Sequence, residues 1–508
     1  MKNILLGTLL LLIGNICHAE DITIRYNGSS AKVKQTTRDS VKVIVKGAHV
    51  SIENLYKDHK LTLLLKGDSN DGQLVLKTDG KAKIKLDGLN LTSQEGAPLE
   101  LKNKKKVEVV AVKGTKNTLT VTACNDTVNH KAAAIWAKGK LQLSGKGTLN
   151  IISTGDGCRG IKTKKDITIE ELTLNVTTSG NHLGEKPFSF GGFPGMPEGG
   201  FPNFGDFQMP EGGFPNFGGF PMPNDSTMHG GFPIFGGFPG MPEGGFQMPE
   251  GGFPNFGGFP MPNDSTMQGG FAGKHKYVAS TKGIASKGKI TINSGNVTVR
   301  TSTAGAEGIE GKDGIVFNGG NIDVMTPDDA INANATIEFN GANVIARSTG
   351  NDAVDSNPKG GFFMPFGGNN NQEDTDPAII IRGGTVYAWS QVGSPEEGLD
   401  CDFAPLVVEG GTIFSVGGGM GEMPSVPTNK TTKQPTVLLI GVNIVENEPV
   451  NIYDAGGKLV DTVTVPFSMK RSASLVSSPT FKLGSTYTVK TKGYEKTFTF
   501  SENFTTVR

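Results

Sequence analysis

Outside two low-complexity stretches, apolar and polar positions along the chain alternate with period two in short runs, separated by glycine-containing turns. Period two is the signature of a β-strand, and no segment holds the 3.6-residue period of an amphipathic helix. The runs recur every 22 to 26 residues or so, within the range of stacked-repeat architectures. Aligned on a small residue followed by an aliphatic, they read Ala134-Ile135, Gly160-Ile161, Gly283-Ile284, Gly308-Ile309, Ala330-Ile331, Ala353-Val354 and Gly398-Leu399. One place further on come Trp136, Lys162, Ala285, Glu310, Asn332, Asp355 and Asp400, mostly large or polar. The next column, from Ala137 to Cys401, is small throughout, and the one after it begins Lys138, Lys164, Lys287, Lys312.

Each repeat then offers a second apolar pair (Ile290/Ile292, Ile315/Phe317, Ile379/Ile381), a turn such as Gly319-Gly320 or Gly383-Gly384, and a third run (Val297/Val299, Ile322/Val324, Val386/Ala388). Three strands and three turns per repeat predict one coil of an all-β, three-sided parallel solenoid. The same pattern is traced less regularly upstream, through Val43–Val50, Leu61–Leu65, Ile84–Leu91 and Val107–Val112. The period stops near Met420, and Val437–Ile444, Val450–Tyr453 and Thr486–Val489 predict a β-rich domain over 420–508. Its expected role is to cap the solenoid's open end.

The interruptions have their own composition. Residues 183–275 combine Phe, Gly, Pro and Met, hold 17 of the 29 phenylalanines, and repeat EGGFPNFGGFPMPNDSTM at Glu211–Met228 and Glu250–Met267. Proline removes ladder donors and glycine raises the cost of ordering, so a disordered insertion is expected here, with self-association as a partner mode. A smaller one is expected over 358–376. The solenoid is thereby divided into 20–182 and 276–419. At the N-terminus, Lys2, the apolar run Ile4–Ile13 and the exit Cys17-His18-Ala19 predict a secretory signal peptide, 1–19, cleaved after Ala19. The expected location is secreted or cell-surface, with the periplasm left open, and no later run is long enough to span a bilayer.

Charge excludes one partner class and locates another. Lys+Arg and Asp+Glu are equal at 49 each, which removes any bulk attraction to nucleic acid. Local charge is uneven. Two places before each aliphatic lie Ala133, Arg159, Lys282, Glu307, Asp329, Asp352 and Glu397. Together with the column after the aliphatic, they form the acidic or amide pairs Glu307/Glu310, Asp329/Asn332, Asp352/Asp355 and Glu397/Asp400. Coils stack about 4.8 Å apart, so like charges in register repel. Calcium bonds oxygens at about 2.3 to 2.6 Å and one ion can serve two coils, which makes these eight residues candidate Ca2+ ligands. The plainer reading is a set of solvated turn carboxylates with an Asn/Asp ladder.

Earlier coils carry Trp136, Lys138, Arg159, Lys162 and Lys164, continued by Lys287 and Lys312: a candidate carbohydrate-binding face, with the lysines holding uronate carboxylates and Trp136 stacking on a sugar ring. Lysines that merely keep exposed strands soluble are the equal alternative. No histidine spacing suits a metal site. Cys401 falls in the small inward column, a core thiol; pairing of Cys124 with Cys158 is left open.

These residues resemble a known family, the calcium-dependent cellulose- and polygalacturonate-binding β-helix proteins labelled carbohydrate-binding domain-containing. The resemblance extends over most of the chain. It includes Ile24-Arg25-Tyr26-Asn27-Gly28, Leu86-Asp87-Gly88-Leu89-Asn90-Leu91-Thr92-Ser93 with Gly96-Ala97-Pro98, Ser144-Gly145-Lys146-Gly147-Thr148-Leu149 and Gly484-Ser485-Thr486-Tyr487-Thr488-Val489. It implies a right-handed parallel β-helix related to polysaccharide lyases, calcium in stacked acidic turns, and polysaccharide binding without cleavage. Two alternatives stay open. One is a calcium-dependent pectate-type lyase with Lys312, beside Glu307 and Glu310, as base if its pKa is lowered. The other is a surface adhesin or assembly protein acting through the insertion.

Overall fold

The computed structural model describes residues 20–36, 41–54, 57, 60–124, 132–185, 277–358, 376–401, 404–418 and 425–508. The expected signal peptide, most of the long insertion and the core of the short one lie outside these residues. The chain divides into two units, Met1–Phe188 with Gly269–Arg508 and Ser189–Gln268, and every described residue belongs to the first.

Strands, turns and bends make up the described residues, with no helix among them. Three parallel ladders run the length of the body. The first stacks Leu99–Leu101, Ala133–Ala137, Arg159–Thr163, Ile284–Ser286, Ile309–Gly311, Ile331–Ala333, Val354–Ser356 and Leu399–Asp400. The second runs from Val107–Ala111 to Leu406–Val408, and the third from Lys116–Val121 to Thr412–Gly417. Each coil thus contributes one short strand to each ladder, as the repeat predicts. Strands on either side of the long insertion pair directly, Ile161 with Ile284 and Ile167 with Ile290. The insertion therefore leaves the stack unbroken, and its two ends meet in an antiparallel pair, Leu183–Glu185 with Tyr277–Ala279.

In-register stacking places like residues over like. The aliphatic column Ile135, Ile161, Ile284, Ile309, Ile331, Val354 and Leu399 is almost fully buried. Phe317 and Phe339 stack inside with ring centroids 5.1 Å apart. Outside, amides form ladders: Asn343 Nδ2 donates to Asn321 Oδ1 (3.0 Å), and Asn321 Nδ2 to Asn296 Oδ1 (2.9 Å). The tight turns need glycine where coils approach each other. Gly384 has φ +81°, and a Cβ there would lie 2.1 Å from the Ala342 carbonyl oxygen.

Both ends depart from the repeat. Val43–Val50, expected as part of a solenoid coil, spans the reversal of an antiparallel hairpin, Val41–Lys46 with His49–Asn54. Gly47, at φ +60°, makes that turn possible, and period-two alternation reads the same on both sides of it. Ile22–Asn27 and Ser30–Gln35 form a second hairpin. At the other end, Met469–Ser477 pairs antiparallel with the last third-ladder strand and with Thr436–Ile444. A four-stranded antiparallel sheet follows, Pro449–Asp454, Leu459–Thr464, Thr486–Thr491 and Tyr494–Thr499. Its aromatics share a core with Trp389 and Phe414 of the coils, which is where Trp389 is buried.

Candidate functional site

The first ladder brings the sequence-predicted residues into one row. Trp136 pairs with Lys162, Lys162 with Ala285, Ala285 with Glu310, Glu310 with Asn332, Asn332 with Asp355 and Asp355 with Asp400. A second column is stacked beside it by backbone bonds: Gly160 N donates to Lys282 O, Gly283 N to Glu307 O, Gly308 N to Asp329 O, Ala330 N to Asp352 O and Ala353 N to Glu397 O. On the other flank, the amides of Lys138, Lys164, Lys287 and Lys312 each bond the coil before. All four of these lysines are exposed.

The central row is not the open surface the alternation implies. Trp136 is 3% exposed, Lys162 9%, Glu310 6%, Asn332 4% and Asp355 2%. The Trp136 ring packs with Ala97 and Ala133, and the Lys164 ammonium sits 6.0 Å from its centroid. The ring is thus a packed, cation-capped element, and the open stacking platform expected of it is not there. Alternation distinguishes inward from outward but carries no information on how far neighbouring columns close over an outward side chain.

Charge along the row changes from rung to rung, and so does the group that balances it. Lys282, at 8% exposure, places its Nζ 2.7 Å from both Glu307 Oε2 and Glu310 Oε1, and Lys312 Nζ lies 2.6 Å from Glu310 Oε1. Burial pushes the Glu310 carboxyl up, but Lys282, Lys312 and Arg159 outweigh it and hold its pKa at about 2. Burial dominates at Glu307 and raises it. Glu307 and Glu310 therefore already have a cation, a lysine, where a calcium ion was expected. Lys282 carried this signal in the sequence, standing in the same column as Glu307 one coil earlier.

The next rung is balanced by an amide. Asn332 Nδ2 donates to Asp329 Oδ2 (2.7 Å) and to Asp355 Oδ2 (2.9 Å), and Asn357 Nδ2 donates to Asp355 Oδ1 (2.6 Å). At the last two rungs the Glu397 amide donates to Asp352 Oδ1 (2.5 Å). The Ser425 amide donates to the Glu397 carboxylate, and Ser425 Oγ donates to Asp400 Oδ1 (3.3 Å). Ser425 lies beyond the repeat, and no pattern marks it. Burial and then the Asp400 charge, with Glu396 and Asp355, push the Asp352 carboxyl well above the usual range. Among the described residues, no group of three or more carboxylate, imidazole or thiol side chains converges closely enough to hold a metal ion.

The opposite end of the row is cationic. Burial, followed by Arg159 and Lys287, depresses the Lys162 ammonium to about 7, with Glu310 opposing and Lys164 adding to the shift. Arg159 is held in place by donating from Nε to Ser280 O (3.0 Å) and from Nη2 to Ser280 Oγ (2.7 Å). Such a cluster is suited to an anion that brings negative charge to Lys162.

Residues 46–186 and 272–443, more than half of the chain, match the family model for carbohydrate-binding domain-containing protein. The chain belongs to this family. The two matched segments flank the insertion and take in most of the stacked strands, and the second runs on past the last coil into Thr436–Ile444. No curated protein matches. Among solved structures, a polysaccharide lyase-like protein from C. thermocellum, studied as a gadolinium derivative, is similar at 17% identity with a TM-score of 0.37. The match covers 64% of this chain and 90% of that one. No helix of the described residues is long and apolar enough to cross a membrane.

Proposed function

We propose that this member of the carbohydrate-binding family is an exported, noncatalytic binder of acidic polysaccharide of the polyuronate class, working from the first-ladder face of a right-handed parallel β-helix. The observation that carries the reading is the burial of Lys162, 9% exposed, in the row that Arg159, Lys164 and Lys287 flank. Its burial beside Arg159, Lys287 and Lys164 costs free energy that a bound carboxylate relieves. Exposed Lys138, Lys164, Lys287 and Lys312 continue the cationic strip along the stacking axis, the direction an extended polymer would follow.

Calcium belongs in this reading at the other end of the row. Glu307 and Glu310 are served by Lys282 and Lys312, and Asp329 and Asp355 by hydrogen bonds from the Asn332 and Asn357 amides, so the ion is assigned in this reading to Asp352, Glu397 and Asp400. The support is electrostatic: Asp352 is buried among like charges, the condition a divalent cation reverses. Since no three carboxylates converge among the described residues, an ion here would take part of its oxygen shell from the polysaccharide or water.

Affinity electrophoresis in polygalacturonate and in a neutral glucan, with and without a chelator, tests the proposal. Retardation by polygalacturonate, weakened by the chelator and by an R159Q/K287Q double variant, is the expected result. Equal retardation in both gels, unaffected by the variant, rejects the polyuronate assignment. A second reading, β-elimination of the uronate, is favoured by Lys162 alone, since an amine near pKa 7 suits a general base. Ultraviolet-absorbing unsaturated products formed by the wild type and absent with K162Q would establish it.

A further inference from the structure

Cys124 and Cys158 come from neighbouring coils and meet at one corner of the stack. Third-ladder strands Lys116–Val121 and Thr148–Ser153 pair in register, and the chain leaves both in the same direction. The amides of Thr154 and Gly155 both bond the Val121 carbonyl, and a Cβ on Gly155 would lie 3.0 Å from the Cα of Ala123. The Cys158 amide then turns back onto the Gly155 carbonyl (3.1 Å). These bonds place the segment before Cys124 against the turn before Cys158. Cys158 is fully buried in the solenoid core, half-buried Cys124 packs against that core, and the two thiols are hydrogen-bonded to each other.

We propose that Cys124 and Cys158 form a disulfide that staples the coil bearing Trp136 to the coil bearing Arg159 and Lys162. The oxidant is a disulfide of the glutathione or protein-oxidoreductase class. The Cys124 thiolate attacks one sulfur of that disulfide, a mixed disulfide forms, and the first oxidant thiolate departs with Cys124's former proton. Cys158 then attacks the Cys124 sulfur, giving up its own proton and expelling the second oxidant thiol. Two protein thiols and one oxidant disulfide become one protein disulfide and two oxidant thiols.

Exposure sets the order, because only Cys124 is reachable from solvent. Hydrogen bonding to Cys124, together with burial, raises the Cys158 thiol above its ordinary pKa. The resolving step in the folded chain is therefore slow at neutral pH and accelerates as pH rises. During folding, before the core closes over Cys158, the same step is fast. Once formed, the bond is shielded from reductant on its Cys158 side. Arg159 follows Cys158 directly, and its amide bonds the Ala132 carbonyl, so the staple also fixes the backbone under the cationic cluster.

The test is peptide mapping of the full chain refolded with oxidised glutathione, alkylated without reduction and digested with trypsin. The expected product is a linked pair of peptides, one containing Cys124 and one containing Cys158, lighter by two hydrogens than their sum and abolished by prior reduction. Cys401, in the inward column, is recovered alkylated. The oxidised chain is expected to melt several degrees above the reduced one, because the cross-link removes conformations from the unfolded state. Recovery of Cys124 and Cys158 on separate alkylated or glutathionylated peptides overturns the proposal, as does a link from either to Cys401. The mapping needs no variant, so a folding defect cannot obscure the result.

Discussion

Replacing Lys282 by methionine removes the cation shared by Glu307 and Glu310 while keeping the side chain's length and apolar stem. Its Nζ lies 2.7 Å from each carboxylate, and the lysine is only 8% exposed, so water cannot take its place without opening the row. Removing one partner of a buried pair typically destabilises by about 3 to 5 kcal/mol. The direction at Glu310 agrees, since Lys282, with Lys312 and Arg159, holds its pKa at about 2 against burial. The sign follows from the lowered value. Stability from Glu310 is complete above its unfolded pKa near 4.5 and is lost as pH falls through about 2. The assay is denaturant unfolding of wild type and K282M from pH 7 down to pH 2. The variant should lose about 3 kcal/mol at pH 7, and the gap should close as pH falls from about 4.5 towards 2. Lys312, 44% exposed at its side chain, is the control, and K312M should cost less than about 1 kcal/mol. A gap below about 1 kcal/mol at neutral pH, or one independent of pH, would refute the reasoning.

Asp352→Asn should stabilise the chain by about 1 kcal/mol at pH 7 and leave it unchanged near pH 3. The raised folded pKa means stability is full below the unfolded value and lost as pH rises, and Asn keeps an acceptor for the Glu397 amide; unfolding at the two pH values checks this. If calcium occupies that end of the row, the same variant should also abolish any calcium-induced rise in melting temperature. Polygalacturonate binding should weaken as pH rises through about 7, where Lys162 loses its proton, and near pH 7.5 binding should take up protons; calorimetry in buffers of different ionisation enthalpy measures this, and K162M should remove it. Gly384→Ala should destabilise by more than about 2 kcal/mol, because its Cβ would meet the Ala342 carbonyl in a backbone conformation that alanine resists; thermal unfolding reads it directly.

The stack was legible in the sequence because a parallel solenoid repeats one environment. A side chain in the Ile135 column sees the same neighbours as one in the Ile309 column, so a single alignment of seven motifs predicted which residues share a rung. The hairpin over Val41–Asn54 was not legible, since alternation has no sign for strand direction. The charge balance was only half legible. The columns gave the partners of Glu310 as its rung neighbours, yet its strongest contacts, Lys282 and Lys312, come from the flanking columns. Whether a lysine reaches across depends on rotamer and depth, which period two does not encode. For the same reason Trp136 read as exposed.

These differences bear on what calcium would do here. A repulsive ladder of carboxylates needs one neutralising device per rung, and the row uses a different one at each step: lysine ammonium at Glu310, an asparagine amide at Asn332, and at Asp352 and Asp400 a backbone amide and a serine hydroxyl. At Asp352, burial and then the Asp400 charge raise the carboxyl and a single backbone donor opposes them only in part, whereas at Glu310 three cations, Lys282, Lys312 and Arg159, outweigh burial. Affinity for a divalent cation should therefore increase along the row, away from the cationic cluster. A polyanion lying on that axis would meet fixed positive charge at one end and calcium at the other. Chelation should then remove only part of the binding, and raised salt most of what is left.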